Sequence, residues 1–315
     1  MKQHHYKHGL SIITKPPLQL KDVTCSAHDF FSGDVDIQLV KDVQQYIWFT
    51  DQDHSLHALH VQHATSVQRI LIEKDGTYVI TQKDTTNHSI PLLFIEFLPC
   101  VQAQVTLCLQ GDKKHSTYVA PQVCITVHQD AHATISSDVD KQHCMHLYMK
   151  AKVQQGAYLL VHTKVHHSAY ASVEHIVDLV GMQAKTDIHT MSYAREHEII
   201  DCYAASIHSH AQTFSDLQHK GVVASHAKTV ARGLVQITQQ ASDSEGYQQQ
   251  DLLVVGTHTE ADAIPLLEIH NHQVKCSHGS TISSLDEQQL FYLMSRGMQR
   301  SEAQQMLIDA FLVDG

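Results

Sequence analysis

Apolar and polar residues alternate with a period of two over much of this chain, in short segments divided by polar clusters. Val105–Leu109, Gln122–Val127, Ala157–Val165 and His175–Val180 are each rich in β-branched and aliphatic residues, and that pattern predicts strands. Val35–Thr50, around the single Trp48, and Ile70–Thr81 read the same way. Helical periodicity is scarce before the C-terminus.

The strands recur with a weak period. Ser209-His210-Ala211 returns as Ser225-His226-Ala227, and polar turn clusters follow near Gln240–Ser244, Gly256–Glu260 and Cys276–Ser280. A turn about every 16 to 19 residues implies coils stacked as a solenoid, because one strand-rich coil cannot bury its own apolar face. The expected fold is mainly β, a parallel β-helix with Val, Ile and Leu inward and His, Gln and Ser outward. A β-sandwich, whose strands also recur at short intervals, is the competing architecture.

The last residues differ in kind. Asp286 is placed to cap a helix that Gly297 ends, and a second helix is predicted from Ser301. Its apolar stripe is Ala303, Met306, Leu307, Ala310 and Phe311. Helices this short are marginal alone, so the pair is expected to dock. The expected organisation is residues 1–90 as an N-terminal segment of strands and loops, 91–283 as the β-helix core and 284–315 as a helical hairpin.

Composition narrows the function. The 315 residues carry 22 Lys and Arg against 33 Asp and Glu, a net charge of −11, which excludes non-specific nucleic-acid binding. From Asp286 onward the only Lys or Arg residues are Arg296 and Arg300, so the helical pair is no DNA-reading motif. A hydrophobic content of 43% supports a sizeable core, and 13 Gly and 6 Pro are too few for a linker-rich chain. Seven cysteines with no C-x-x-C spacing exclude a disulfide scaffold and a zinc finger. Reduced thiols, the lack of a signal-like apolar region after Met1 and the lack of a long apolar run predict a cytoplasmic protein. No phosphate-cradling or serine-nucleophile motif occurs, so any energy-driven role requires a partner ATPase.

Histidine is the excess, at 28 residues. His208/His210 and His270/His272 have the spacing that shares one face of a strand, the beginning of a metal site, although surface filling is the simpler reading. Lys275-Cys276-Ser277-His278-Gly279-Ser280-Thr281 is more specific. If extended, it sets the Cys276 thiol and the His278 imidazole on one face, roughly 6 to 7 Å apart, a pairing suited to iron or sulfur chemistry. A buried structural thiol is the alternative for Cys276.

This run, with Leu267-Glu268-Ile269 before it and Leu285-Asp286-Glu287 and Leu290-Phe291-Tyr292-Leu293-Met294-Ser295-Arg296-Gly297 after it, resembles the SufB/SufD family of the SUF iron–sulfur cluster assembly system. Ala231-Arg232-Gly233-Leu234-Val235 and Gly246-Tyr247-Gln248-Gln249-Gln250-Asp251-Leu252-Leu253 extend the likeness, which is strong from about Thr186 and loose from Pro91. The resemblance implies a right-handed parallel β-helix, a heterodimer with SufB and association of the C-terminal helices with the ATPase SufC. It also implies an N-terminal helical domain, reduced or missing over residues 1–90. Thr259 stands where SufB carries a sulfur-receiving cysteine, and Gly279 where SufB carries a glutamate. Both departures point to the branch that pairs with SufB.

On that resemblance His278 matches the histidine at the subunit interface where clusters assemble, and is the candidate metal ligand, with Cys276 a lesser one. Phe291, Tyr292, Arg296, Gly297 and Phe311 are the candidate partner-binding residues. The expected role is a non-catalytic scaffold subunit with no tightly bound cofactor and a transient iron–sulfur cluster shared with SufB. A SufB-like scaffold that pairs with itself and a β-helix enzyme acting on polysaccharides are the alternatives.

Overall fold

The computed structural model describes residues 4–5, 11–12, 31–32, 36–38, 64, 66–83, 88–110, 118–140 and 144–313. The strand expected over Val35–Thr50 lies outside them except for Asp36–Gln38, which is extended. From residue 66 onward the longer strands are β1 (Ser66–Ile72), β2 (Gly76–Lys83), β3 (Pro91–Phe97), β4 (Gln102–Gln110), β5 (Gln122–Val127), β6 (His132–Asp140), β7 (Cys144–Val153) and β8 (Tyr158–His166). They continue as β9 (Tyr170–Leu179), β10 (Lys185–Ala194), β11 (Ile199–His208), β12 (Phe214–Ala224), β13 (Lys228–Ile237), β14 (Ser244–Val255), β15 (Glu260–Ile269) and β16 (Val274–Ser284).

Odd-numbered strands pair in parallel into one sheet and even-numbered strands into a second. Each coil therefore gives one strand to each sheet, the wall pattern of a parallel β-solenoid. Ser66 stands beside Pro91 and Lys228 beside Glu260, so a coil takes about 25 to 32 residues. The shorter step seen in the sequence is half a coil: Ser209-His210-Ala211 and Ser225-His226-Ala227 follow β11 and β12, at opposite corners. Among the described residues the stacked coils reach back to Ser66, upstream of residue 91. Cys276–Ser280, expected as a turn, lies inside β16.

The corners are tight and repeat their geometry. Cys100, Asp130, Gly156, Gln183, Gln212 and Asp243 all have positive φ. Each sends its N–H to a carbonyl of the next coil, as in Asp130 to Gln155, Gln183 to Ala211 and Gln212 to Ser242. A small buried residue follows in several cases: Ala131, Ala157 and Ala184 are fully enclosed. At the opposite corner His167, Glu196, His226 and His258 also have positive φ, and the His226 N–H reaches the Thr257 carbonyl. His258 stacks on His226 there with ring centroids 5.2 Å apart, and His197 meets His226 tilted at 5.5 Å.

The core is aliphatic in the early coils and polar in the later ones. One inward row of the even sheet runs Val105, Ile135, Val161, Ile188 and Leu217, then Gln248. The row beside it runs Leu107, Ser137, Thr163, Thr190, His219 and Gln250. This corrects the expectation that histidine and glutamine face outward. Buried side chains pair instead: His219 Nε2 with Ser192 Oγ at 2.9 Å, and His175 Nε2 with Thr163 Oγ1 at 3.1 Å. His208 bonds Thr213 and Ser215, each at 2.8 Å. Burial disfavours the imidazolium and holds His175, His208 and His219 down at about 4.

Two helices close the chain, α1 (Glu287–Ser295) and α2 (Arg300–Val313). Asp286 caps α1 by accepting the Gln288 N–H at 2.8 Å. Gly297, with φ +99°, ends it, as the Gly297 and Met298 amides return to the Met294 and Leu293 carbonyls. α2 starts a residue before the expected Ser301, because Glu302 reaches back to the Gln299 N–H. The expected apolar stripe is also rotated. Ala303 is buried, but Met306 is 51% exposed and Ile308 packs with Val222 and Leu253 in its place. Phe311 lies half-buried against that cluster, and Lys220 sits 5.7 Å over its ring. Among the described residues no helix is long and apolar enough to cross a membrane.

Candidate functional site: the open end of the solenoid

The solenoid ends at β15 and β16, each paired along one edge with β13 and β14. No described strand pairs with their outer edges. Glu260 and His270 donate their N–H groups to Ala227 and Ile237 of the preceding coil, so by alternation the backbone of Ala261, Ala263, Pro265 and Leu267 faces the free edge. Pro265, which has no N–H, thus costs the existing sheet nothing.

His278 and Cys276 lie two residues apart on β16, on its inward face, as the sequence spacing requires. In register His278 stands beside buried Gln248, the last enclosed residue of its row, and Cys276 beside Gly246. His278 is nevertheless exposed and Cys276 only half-buried, because no coil follows to cover them. Cys276 packs against the edge of the core, and that burial pushes its thiol up, only partly opposed by a hydrogen bond from the Gly246 backbone. It is therefore a protonated thiol near neutral pH rather than a ready thiolate. Beside this pair, Lys275 Nζ meets Glu245 Oε1 at 2.7 Å across the outward face. Gly279 leaves space into which the Gln249 amide folds.

The end is otherwise apolar and acidic. Ile264, Leu266, Ile269 and Ile282 are 43, 49, 42 and 51% exposed, a concentration that sequence reasoning missed. Its signal was Ile264 at an outward strand position where the preceding coil carries Arg232. Glu260 and Glu268 bind Lys228 (2.6 Å) and Gln236 (3.0 Å) of the preceding coil. Thr259 lies just before β15, a hydroxyl with no thiol chemistry.

The other histidine pairs do not form. His208 ends β11 buried while His210 lies exposed in the following corner, and His270 and His272 both fall in the corner before β16. Among the described residues no group of three or more His, Cys, Asp or Glu is arranged to hold a metal ion. Of the partner-binding candidates, Phe291 is 74% and Tyr292 62% exposed. Arg296 and Gly297 are also exposed, whereas Phe311 is largely used in docking its own helix.

The fold is a parallel β-solenoid with an uncapped last coil and an appended helical hairpin. Residues 78–311 match the family described as SUF system FeS cluster assembly, SufBD core domain, and the chain belongs to that family. It is 34% identical over 136 residues to the iron–sulfur cluster assembly protein SufD of Escherichia coli K12, covering 43% of this chain and 32% of that protein. An iron–sulfur cluster assembly SufBD family protein of Mycobacterium leprae is 34% identical over 134 residues, 42% of this chain and 15% of its own length. One from Staphylococcus aureus USA300 is 31% identical over 134 residues, 42% and 29% respectively. The chain thus matches about a third or less of these relatives' lengths.

Proposed function

We propose that this chain is a SufD-type, non-catalytic scaffold subunit of the cytoplasm that pairs with SufB through the open coil and helps build iron–sulfur clusters at the shared interface. One observation carries the reading: an inward row of the solenoid ends at His278, whose imidazole stays exposed on a strand with a free edge. A partner strand added there would cover Ile264, Leu266 and Ile282 and enclose His278 between the two subunits. Within that interface a neutral imidazole is suited to complete an iron site short of thiolates. Cys276, protonated and half-buried, is the weaker donor. The iron–sulfur cluster is cargo in this scheme, passing through the interface, and residues 284–315 form the separate module that meets the SufC ATPase through Phe291, Tyr292 and Arg296.

The test is His278→Ala in the co-expressed complex. Because the side chain is exposed and makes no core contact, the variant is expected to fold and to co-purify with SufB and SufC, while cluster loading, read from the visible absorption of the complex, falls at least several-fold. Unchanged loading removes His278 from the function, and loss of SufB co-purification from the wild-type protein removes the heterodimer itself.

A further inference from the structure

Beneath the open end, two glutamines are placed where their carbonyls have nothing to accept from. Gln248 and Gln250 are 4% and 3% exposed. The Gln248 amide donates to the Leu266 carbonyl at 3.0 Å, which leaves its Oε1 buried and unpartnered, and Gln250 Oε1 is in the same state. The space they occupy exists because residue 233 is glycine: a Cβ there would overlap both Gln248 Oε1 and Gln250 Nε2. Thr190, His219 and Gly233 join the two glutamines around a cavity of about 10 Å³ between the two sheets.

We propose that this cavity is a binding site for one water molecule, held as a structural part of the last coils. The chemistry selects the ligand. Two orphan carbonyl acceptors call for a species with two donor hydrogens, and a volume of about one probe sphere admits a single water and nothing larger. A bare alkali or alkaline-earth cation would need a full shell of about six or more oxygens, which a cavity of this size cannot arrange around it. Water donates one hydrogen to each Oε1, and the Thr190 hydroxyl or the His219 ring can supply a hydrogen to its oxygen. His219 is neutral here, so it brings no charge to the site. The water sits one coil below His278, in the layer of Gln248 and Gln250, and that last enclosed layer of the interior is wet.

Two measurements on the full chain test this. A crystal structure that resolves ordered solvent should show a peak within about 2.7–3.2 Å of both Oε1 atoms. No peak, with the two amides turned to bond each other, overturns the proposal. The second is the sign of a stability change in Gln250→Met, a near-isosteric swap. If the water satisfies the carbonyl, the variant loses a bonded group and Tm falls by about 2–4 °C. If the carbonyl is unsatisfied, the variant removes a penalty, and an unchanged or higher Tm overturns the proposal.

Discussion

His175, His208 and His219 sit neutral inside a protein whose unfolded chain would protonate them. Their folded values, about 4, lie below the ordinary 6.5. Between pH 4 and 6.5 the unfolded state therefore binds more protons, and stability rises with pH across that window. The stabilisation is complete above about pH 6.5 and is lost as pH falls toward 4, at up to about 1.4 kcal/mol per pH unit for each residue. Denaturant midpoints measured from pH 7.5 to 4.5 should fall steeply below pH 6.5. In a His175→Gln, His219→Gln double variant the fall should be shallower, and an equal slope would show that these imidazoles are not the titrating groups. None of this burial was legible in the sequence. A histidine at an inward strand position looks the same as one at an outward position until the register is known, and inward serines and threonines such as Ser192 and Thr163 are what make it tolerable.

Among the elements, strands were the most legible, because alternation survives in a wall with one face in the core. The coil was misjudged by a factor of two, since both of its corners are polar and the sequence does not say which is which. Corner chemistry hid for a related reason. Positive φ normally announces itself as glycine, but here Asp130, Gln183, Gln212 and Asp243 adopt it, and the usable signal was the small residue after some of them, as in Asp130-Ala131 and Gln183-Ala184. Holding a non-glycine residue in that region costs about 1 kcal/mol. Gln212→Gly is therefore expected to stabilise the protein by roughly 0.5–1 kcal/mol in equilibrium unfolding, its Ser242 contact being made by backbone. In the hairpin, cap residues Asp286 and Gly297 were readable because their roles are local. The docked face was not, because α2 turns Ile308 rather than Met306 toward Val222 and Leu253. Phe291→Ser with Tyr292→Ser, which removes exposed rings, should leave Tm within about 1 °C and reduce SufC retained in a pull-down. Ile308→Ala should instead destabilise the hairpin by about 2–4 kcal/mol, seen as faster proteolysis C-terminal to Leu285.

For the molecule as a whole, membership of the SufBD family and the solenoid could be reached from motifs spread over the last half of the chain. His278 and Cys276 were legible too, but the apolar rim around them and their neighbours in the coil below were not. The row that places His278 beside Gln248 is a pairing across thirty residues, set by coil length rather than by any local spacing.

Because neighbouring coils contact mainly each other, the change from aliphatic rungs to hydroxyl, imidazole and amide rungs gives the solenoid a direction. Opening is expected to start where β15 and β16 have one neighbour each and to travel back toward the layer of Leu107 and Ile135. Amide deuterium uptake should then form a gradient along the axis, fastest at the open rim, and a chain seated on that rim would flatten it. A scaffold built this way stays pliable where it must adapt and rigid where it need only stand.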